Sequence, residues 1–407
     1  MDTPTAIGHP QAGVAHGTGI ASGCNDELFE HAPPAGLQRR LGLKPSQVNV
    51  TKRALLVVLI GWVPLILLTL AASISSGHET LEALLREAGV HARYLIAAPI
   101  LVLAERECAS QLNALVRQFL ESGLVPERKR SEWEYAVAST RSLLNSATAE
   151  IAVVAIAYLI VVATVASHPV GEIPIWHKSA NSHFSPAGWW HVLVSLPILI
   201  ILILGWLWRL VLWTRLLRLI AGLDLRLVTS HPDHVAGLGF VGHSVRAFAV
   251  VALALATIAA GRSAHTVLET GAGLPTPQFI FNVGFLVVIA ILFTAPLTAF
   301  VPTLLQAWRH GVADYGALAQ RAGVAFEDRW FKRNRHDVSD DAPEQPDVSD
   351  TADIYSILAN VYDLRFVPVD VTSLIGLALA MLLPFVPVLL LAVPLDRIWA
   401  GIQKLLF

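Results

Sequence analysis

Long apolar runs recur along this chain and predict helices that cross a membrane. An α-helix needs about 20 residues to cross about 30 Å of hydrocarbon, and most of the runs reach or approach that length. Only 15% of the residues are charged, against about a quarter in soluble proteins. The pattern therefore predicts an all-α, polytopic transmembrane helix bundle. The unbroken runs are Ala54–Ile74, Ile151–Ala166, Trp189–Leu207, Ala247–Gly261, Phe279–Leu305 and Val371–Val393.

A shorter apolar segment, Tyr94–Ala104, decides the number of spans. If it crosses the membrane, the residues before position 54 and the segments 105–150, 208–246 and 306–370 share one side. Together they hold 23 of the 29 Lys and Arg residues. Positive charge is retained in the cytoplasm during membrane insertion. The division therefore favours about seven spans, with the N-terminus in the cytoplasm and the C-terminus on the outer side.

The polar segments divide the chain into regions. Residues 1–38 contain no Lys or Arg and predict a disordered tail, whereas residues 39–334 carry spans one to six. Within that bundle, apolar residues at helical spacing predict a cytoplasmic helical hairpin over 105–148. Residues 335–353 are acidic and contain proline, which predicts a flexible linker. Residues 354–407 complete the chain as an amphipathic segment and the seventh span.

Proline recurs inside the predicted spans. Each proline removes a backbone donor and permits a kink where neighbouring helices cover the freed carbonyl. The sequence leaves open whether these kinks move or serve static packing. The residues are Pro64, Pro99, Pro197, Pro296, Pro302, Pro384 and Pro387.

Composition and motifs exclude several classes of function. A net charge of −2 argues against a nucleic-acid partner, and two cysteines exclude a disulfide scaffold. The G-x-G-x-x-G match at 237–242 precedes a membrane helix rather than a βαβ unit, so we expect no nucleotide cofactor. The predicted spans contain no Asp, Glu, Lys or Arg, which weakens proton-coupled transport. Metal binding is left open for the outer histidines, which lack strong ligand spacing: His78, His91, His168, His177, His183, His191 and His265.

The densest group of ionisable residues near a predicted membrane face lies before the fifth span. One interpretation is a helix start, with Pro232 in the first turn and Asp233 near the positive end of the dipole. The other is a metal, anion or proton-handling site, in which His231 and Asp233 converge, with Arg226 or His243 nearby. The candidate functional cluster is His231, Asp233, His234 and Arg226.

Several motifs resemble those of uncharacterised bacterial polytopic inner-membrane proteins. The main one is the run Thr229-Ser-His-Pro-Asp-His-Val-Ala-Gly-Leu-Gly-Phe240. Ala352-Asp-Ile354, Val367-Pro368-Val369 and the pattern Leu-Leu-Pro384-Phe-Val-Pro387 accompany it. The resemblance covers roughly residues 54–400 and implies a bacterial inner membrane, with a periplasmic C-terminus, but no activity. Such proteins commonly carry Arg at the position of His234.

Two kinds of function are compatible with these features. We favour a non-enzymatic membrane protein, which either moves a small solute or assembles a partner, with the hairpin 105–148 as a possible docking surface for a cytoplasmic protein. The alternative is a membrane-embedded enzyme with a site at His231 and Asp233. No catalytic residue or cofactor is predicted, because no polar groups of the spans meet at one depth. The lipid bilayer is the one partner that the sequence clearly indicates.

Overall fold

The chain folds as a bundle of helices. The computed structural model describes residues 50–76, 79–167, 175–177, 184–271, 273–328 and 348–392, and every regular element in these ranges is a helix. The predicted all-α class is confirmed, whereas the predicted tail over 1–38 lies outside the described residues. The α-helices are Val50–Gly61, Val63–Ser76, Glu79–Arg86, Ala88–His91, Ala98–Glu121, Arg130–Leu144, Ala147–Ser167, Pro186–Trp190, Leu196–Ala221, His243–Thr270, Thr276–Thr294, Val301–Glu327, Val348–Tyr362, Val371–Leu382 and Phe385–Ala392.

Within the described residues, six helical stretches are long and apolar enough to cross a bilayer. A seventh span forms if Val371–Leu382 and Phe385–Ala392, which bend by 47° at their junction, count as one. The protein is therefore a multi-pass membrane protein, and we number these stretches spans 1 to 7. Spans 1 to 6 are Val50–Ile74, Ala88–Glu121, Ala147–Ser167, Pro186–Ala221, Gly239–Thr270 and Thr276–Glu327.

Span 2 contains the short segment on which the number of spans depends. Tyr94–Ala104 lies inside a 34-residue helix, about 51 Å long, which exceeds the thickness of the hydrocarbon. The excess continues the helix to Glu121, and Gly123 adopts a φ of +70° after it. The helix Arg130–Leu144 follows and packs against the helix Leu196–Ala221 of span 4. We call residues 105–144 the hairpin, the name used in the sequence prediction.

Segments rich in Lys and Arg meet at one end of the bundle. The backbone N–H of Arg226 donates to the carbonyl of Leu124 at the tip of the hairpin, at 2.8 Å. The hydroxyl of Thr303 in span 6 donates to the carbonyl of Ala221, at 3.2 Å. We call this the basic end. The other end, which includes Gly261, is called the opposite end.

The prolines mark breaks in the spans, and side chains of neighbouring spans bind the carbonyls that these breaks free. Pro64 has no N–H for the carbonyl of Ile60, and span 1 is interrupted there. The indole N–H of Trp190 donates to the Ile60 carbonyl at 3.0 Å. The hydroxyl of Ser195 donates to the Gly61 carbonyl at 2.8 Å. Side chains of span 4 therefore satisfy the carbonyls that the break in span 1 frees, and we call such a break sealed.

Spans 2 and 4 each contain a π-helical turn. The turns, Ala92–Ala97 and His191–Ser195, both end two residues before a proline. A π turn inserts an extra residue into the helical register. The two turns meet, because the hydroxyl of Tyr94 and Nε2 of His191 are hydrogen-bonded at 2.9 Å.

Span 5 is the most buried of the spans and packs against spans 2, 6 and 7. Small residues let it approach its neighbours closely. A Cβ added to Gly261 would lie 2.2 Å from the Cβ of Ala92 in span 2. The core of the bundle therefore has little space around this helix at the opposite end.

The helix Val301–Glu327 is the last part of span 6, which we call its extension, and it packs against Val348–Tyr362. A Cβ at Gly323 would lie 2.6 Å from the hydroxyl oxygen of Tyr355. The second helix starts at Val348, so it includes the last six residues of the segment predicted as a flexible linker. Residues 335–347 of that segment lie outside the described residues.

Candidate functional site

The loop between spans 4 and 5 contains the candidate residues, and one carboxylate shapes it. Asp233 accepts the backbone N–H groups of Val235, Gly237 and Gly239, at 3.0, 3.1 and 2.9 Å. A Cβ at Gly239 would lie 3.1 Å from Oδ2 of Asp233, so the absence of a side chain lets the backbone wrap this closely. Successive N–H groups of this kind bind anions in many proteins. In this loop, the three N–H groups bind the carboxylate of Asp233, which belongs to the loop itself.

The α-helix of span 5 begins eleven residues after Pro232, the predicted first position. A 3-10 turn covers Gly239–Gly242, and the α-helix starts at His243. The interpretation of Pro232 and Asp233 as the first turn of a helix is therefore wrong. A short acidic side chain can accept N–H groups of a loop as well as those of a helix start. The sequence alone does not distinguish these two arrangements, so the helix start was predicted wrongly.

Hydrogen bonding keeps Asp233 ionised. Burial favours the neutral acid, but the three N–H donors and His231 outweigh burial and lower the pKa of Asp233 below its usual value. Nδ1 of His231 lies 2.9 Å from Oδ1 of Asp233, and the imidazole is nearly half exposed. A carboxylate held in this way is a structural anion with no proton to donate at neutral pH.

Of the four candidate residues, the structure brings two into contact. Among the described residues, His231 alone contributes a side chain to Asp233. Arg226 is exposed, and its backbone binds the hairpin. The carbonyl of His234 accepts the backbone N–H of Arg365, at 2.7 Å. His243, which was expected to converge with the pair, is exposed in the first turn of its helix.

The loop joins three other segments of the basic end. A Cβ at Gly242 would lie 2.8 Å from the carbonyl oxygen of Pro368, in the segment before span 7. A Cβ at Gly311 would lie 2.7 Å from Oγ1 of Thr229, so the side chain of Thr229 in the loop packs directly on the backbone of the extension of span 6. We call the resulting assembly the platform, which comprises the hairpin 105–144, the loop 222–242, the helix Val301–Glu327 and the segment 363–370.

A polar groove lies in the platform, between the loop and the extension of span 6. Its volume is about 720 Å³, within the range of about 300–1,000 Å³ that is typical of ligand pockets. The lining includes the carboxylates of Asp224 and Asp314, the imidazole of His310 and the hydroxyl of Tyr315. That hydroxyl lies 3.3 Å from the hydroxyl of Ser230, so the groove adjoins the predicted cluster.

A buried charged cluster, which the sequence did not predict, lies at the basic end. Oε2 of Glu105 accepts Nη2 of Arg53 at 2.6 Å, and Oε1 accepts Nη2 of Arg209 at 3.0 Å. The guanidinium of Arg209 also lies 4.8 Å from the ring centroid of Trp206, a cation–π distance. All three charged residues are less than one tenth exposed. Each lies one or two positions outside a predicted apolar run, so the structural spans contain ionisable groups that the predicted runs lacked.

At the opposite end, the structure brings together two of the outer histidines. The ring centroids of His177 and His191 lie 4.9 Å apart. Burial, and then the positive charge of Arg93, lower the pKa of His177 to about 4. Within the described residues, no three His, Cys, Asp or Glu side chains are placed to hold a metal ion. The pair is therefore described as two buried histidines and is not assigned as a metal site.

Comparison with known proteins adds no relative. No family model, no curated protein and no solved structure matches the chain. The resemblance to bacterial inner-membrane proteins stays a prediction. Helix length and hydropathy alone assign the chain as a multi-pass membrane protein.

Proposed function

We propose that this protein is a non-enzymatic scaffold of the bacterial inner membrane, which presents its platform to a soluble partner in the cytoplasm. The observation that carries this proposal is the assembly of three separate segments around the loop that Asp233 organises. Such an assembly extends the helices well beyond the length that the membrane requires. Its groove gives a partner a polar surface to bind.

The distribution of positive charge supports the cytoplasmic orientation. The residues before position 54 and the segments 105–150, 208–246 and 306–370 hold 23 of the 29 Lys and Arg residues. Short loops with this excess are retained in the cytoplasm. The groove and the hairpin are therefore accessible to cytoplasmic proteins.

Sealed helix breaks favour a scaffold over a transporter. Transporters use interrupted helices whose freed backbone groups face the substrate or a coupling ion. In span 1, the carbonyls of Ile60 and Gly61 are instead bound by Trp190 and Ser195. Because these carbonyls already accept hydrogen bonds, they are not free to bind a substrate or a coupling ion. This supports the interpretation that the break in span 1 serves static packing.

The state of Asp233 favours a scaffold over an enzyme. The alternative function requires His231 and Asp233 to handle a substrate or a proton at the basic end. Both oxygens of Asp233 accept backbone N–H groups, which would have to be released before the carboxylate could act. The pair therefore supports a structural role for Asp233.

Site-specific photocrosslinking in living cells tests the scaffold proposal. A photoreactive amino acid at Gln306 or His310, which line the groove, should give a discrete protein adduct. Ala313 is the matched control, because it is exposed on the same helix outside the groove. The adduct should disappear when Asp314→Arg reverses the charge of the groove wall. Equal adducts at all three positions, or adducts that survive Asp314→Arg, would count against the proposal.

A further inference from the structure

The buried cluster of Arg53, Glu105 and Arg209 has an excess of positive charge. Both guanidinium groups are permanently charged. The single carboxylate carries at most one negative charge, so at least one positive charge is left over. The residues are 8%, 6% and 3% exposed, in chain order. Unbalanced charge at such burial is strongly unfavourable unless an anion compensates it.

The same cluster has unused hydrogen-bond donors. Nε of Arg53 and Nε of Arg209 are both buried and have no hydrogen-bond partner among the described residues. Each oxygen of Glu105 already accepts one guanidinium nitrogen. A buried donor without a partner is costly, and most so when it is charged. Excess charge and unused N–H donors together require a negatively charged acceptor.

We propose that the cluster binds one phosphate-class oxyanion, supplied by a phospholipid headgroup or by phosphate in solution. Guanidinium groups match oxyanions of this geometry with paired N–H donors. An anion that contacts both arginines would alternate with Glu105 in a closed ring of opposite charges. This site is independent of the platform and of the scaffold function.

The position of the cluster suits a headgroup. Arg53 lies in the first turn of span 1, and Arg209 lies beside Trp206. Tryptophans concentrate at membrane interfaces. Basic pockets between membrane helices at the cytoplasmic side bind anionic headgroups. Exposed Lys52 and Arg106, each adjacent in sequence to a member of the cluster, add positive charge at this level.

The test uses the full-length protein, purified in neutral detergent without phosphate. Inorganic phosphate and phosphatidylglycerol are titrated separately, with phosphatidylcholine as the uncharged control, and thermal unfolding and native mass spectrometry are measured. The melting temperature should rise with phosphate or phosphatidylglycerol but not with phosphatidylcholine. A response to phosphate alone identifies an anion from solution, whereas a response to phosphatidylglycerol alone identifies the headgroup. No response to either would overturn the proposal.

Three substitutions locate the binding. Arg53→Gln or Arg209→Gln should weaken binding about tenfold or more, the factor expected when one charge-assisted contact is lost. Arg246→Gln, at an exposed arginine in the first turn of the span 5 helix, should leave binding unchanged. Equal binding by the Arg53, Arg209 and Arg246 variants would place the anion elsewhere and refute the site.

A fourth variant serves if the arginine variants do not fold. Glu105→Gln removes the competing negative charge and leaves both arginines in place, so it should bind the anion more tightly than the wild type. An ion pair that only joins the spans predicts no such gain. Unchanged or weaker binding by Glu105→Gln would contradict the proposal.

Discussion

At the scale of single residues, the carboxylate of Asp233 provides the hydrogen-bond acceptors for three N–H groups of the loop backbone. Three N–H groups within seven residues converge on its two oxygens. His234 and Ala236 adopt φ values of 56° and 57°, in a region that residues other than glycine rarely occupy. The hydrogen bonds to Asp233 stabilise this strained backbone.

We expect Asp233→Ala to lower the free energy of unfolding by about 2–4 kcal/mol, because it leaves three partly buried N–H groups without an acceptor. Asp233→Asn keeps one oxygen and should cost about 1–2 kcal/mol. Asp224→Asn is the control, since its exposed ion pair with Arg128 should contribute less than about 1 kcal/mol. Unfolding in detergent micelles measures all three. A change below about 0.5 kcal/mol for Asp233→Ala would contradict the structural role.

We expect buried His177 to make the stability depend on pH. Its pKa is about 4 in the folded protein, against 6.5 for an unperturbed histidine. The unfolded chain therefore binds the proton first, and the stabilisation is complete above pH 6.5 and declines as the pH falls towards 4. The loss across this window is roughly 3 kcal/mol. Thermal unfolding between pH 7 and pH 4.5 should show a smaller decline for His177→Gln, and an unchanged decline would contradict this origin.

The sequence located the important loop but not the role of its residues. The spacing of His231, Asp233 and the two glycines singled out the loop, because ionisable and glycine residues are rare beside long apolar runs. Its conformation depends on the hairpin and on the segment before span 7, which are remote in sequence. The cluster of Arg53, Glu105 and Arg209 was not predicted for the same reason, since its three residues are remote from one another in sequence.

At the scale of helices, the spans follow directly from the apolar runs. In lipid, backbone groups must bond within the helix, so a long apolar run has few alternatives to a transmembrane helix. The ends of the spans were less predictable. Span 2 extends to Glu121 and span 6 to Glu327, because the helix Ala98–Glu121 packs against spans 1, 4 and 5, and the helix Val301–Glu327 packs against Val348–Tyr362.

The break in span 1 leads to a prediction at this scale. Ser195→Ala removes the hydroxyl that binds the Gly61 carbonyl, and we expect it to cost about 1–2 kcal/mol of stability. Thr214→Ala is the matched control, because its hydroxyl binds a carbonyl of its own helix, that of Leu210. Thermal unfolding of the purified variants compares the two. Equal melting temperatures would show that the bond does not seal the break.

At the scale of the whole molecule, the two ends of the bundle differ in construction. The basic end extends through long helices, and its segments contact one another through backbone groups and glycines. The sequence predicted that these segments share a side, because charge reports on the side of the membrane. It could not predict the groove, whose walls are about 80 residues apart in the chain.

Cysteine labelling tests whether the hairpin, the loop and the extension of span 6 lie together on the cytoplasmic side. In a background with Cys24→Ser and Cys108→Ser, single substitutions Arg128→Cys, Arg226→Cys and Gln320→Cys probe the hairpin, the loop and the extension of span 6, which are exposed at these positions. Arg86→Cys probes the opposite end. With a membrane-impermeant maleimide, we expect Arg86→Cys to be labelled in intact cells and the other three only after permeabilisation. Labelling of Arg128→Cys in intact cells would place the hairpin outside and contradict both the orientation and the platform.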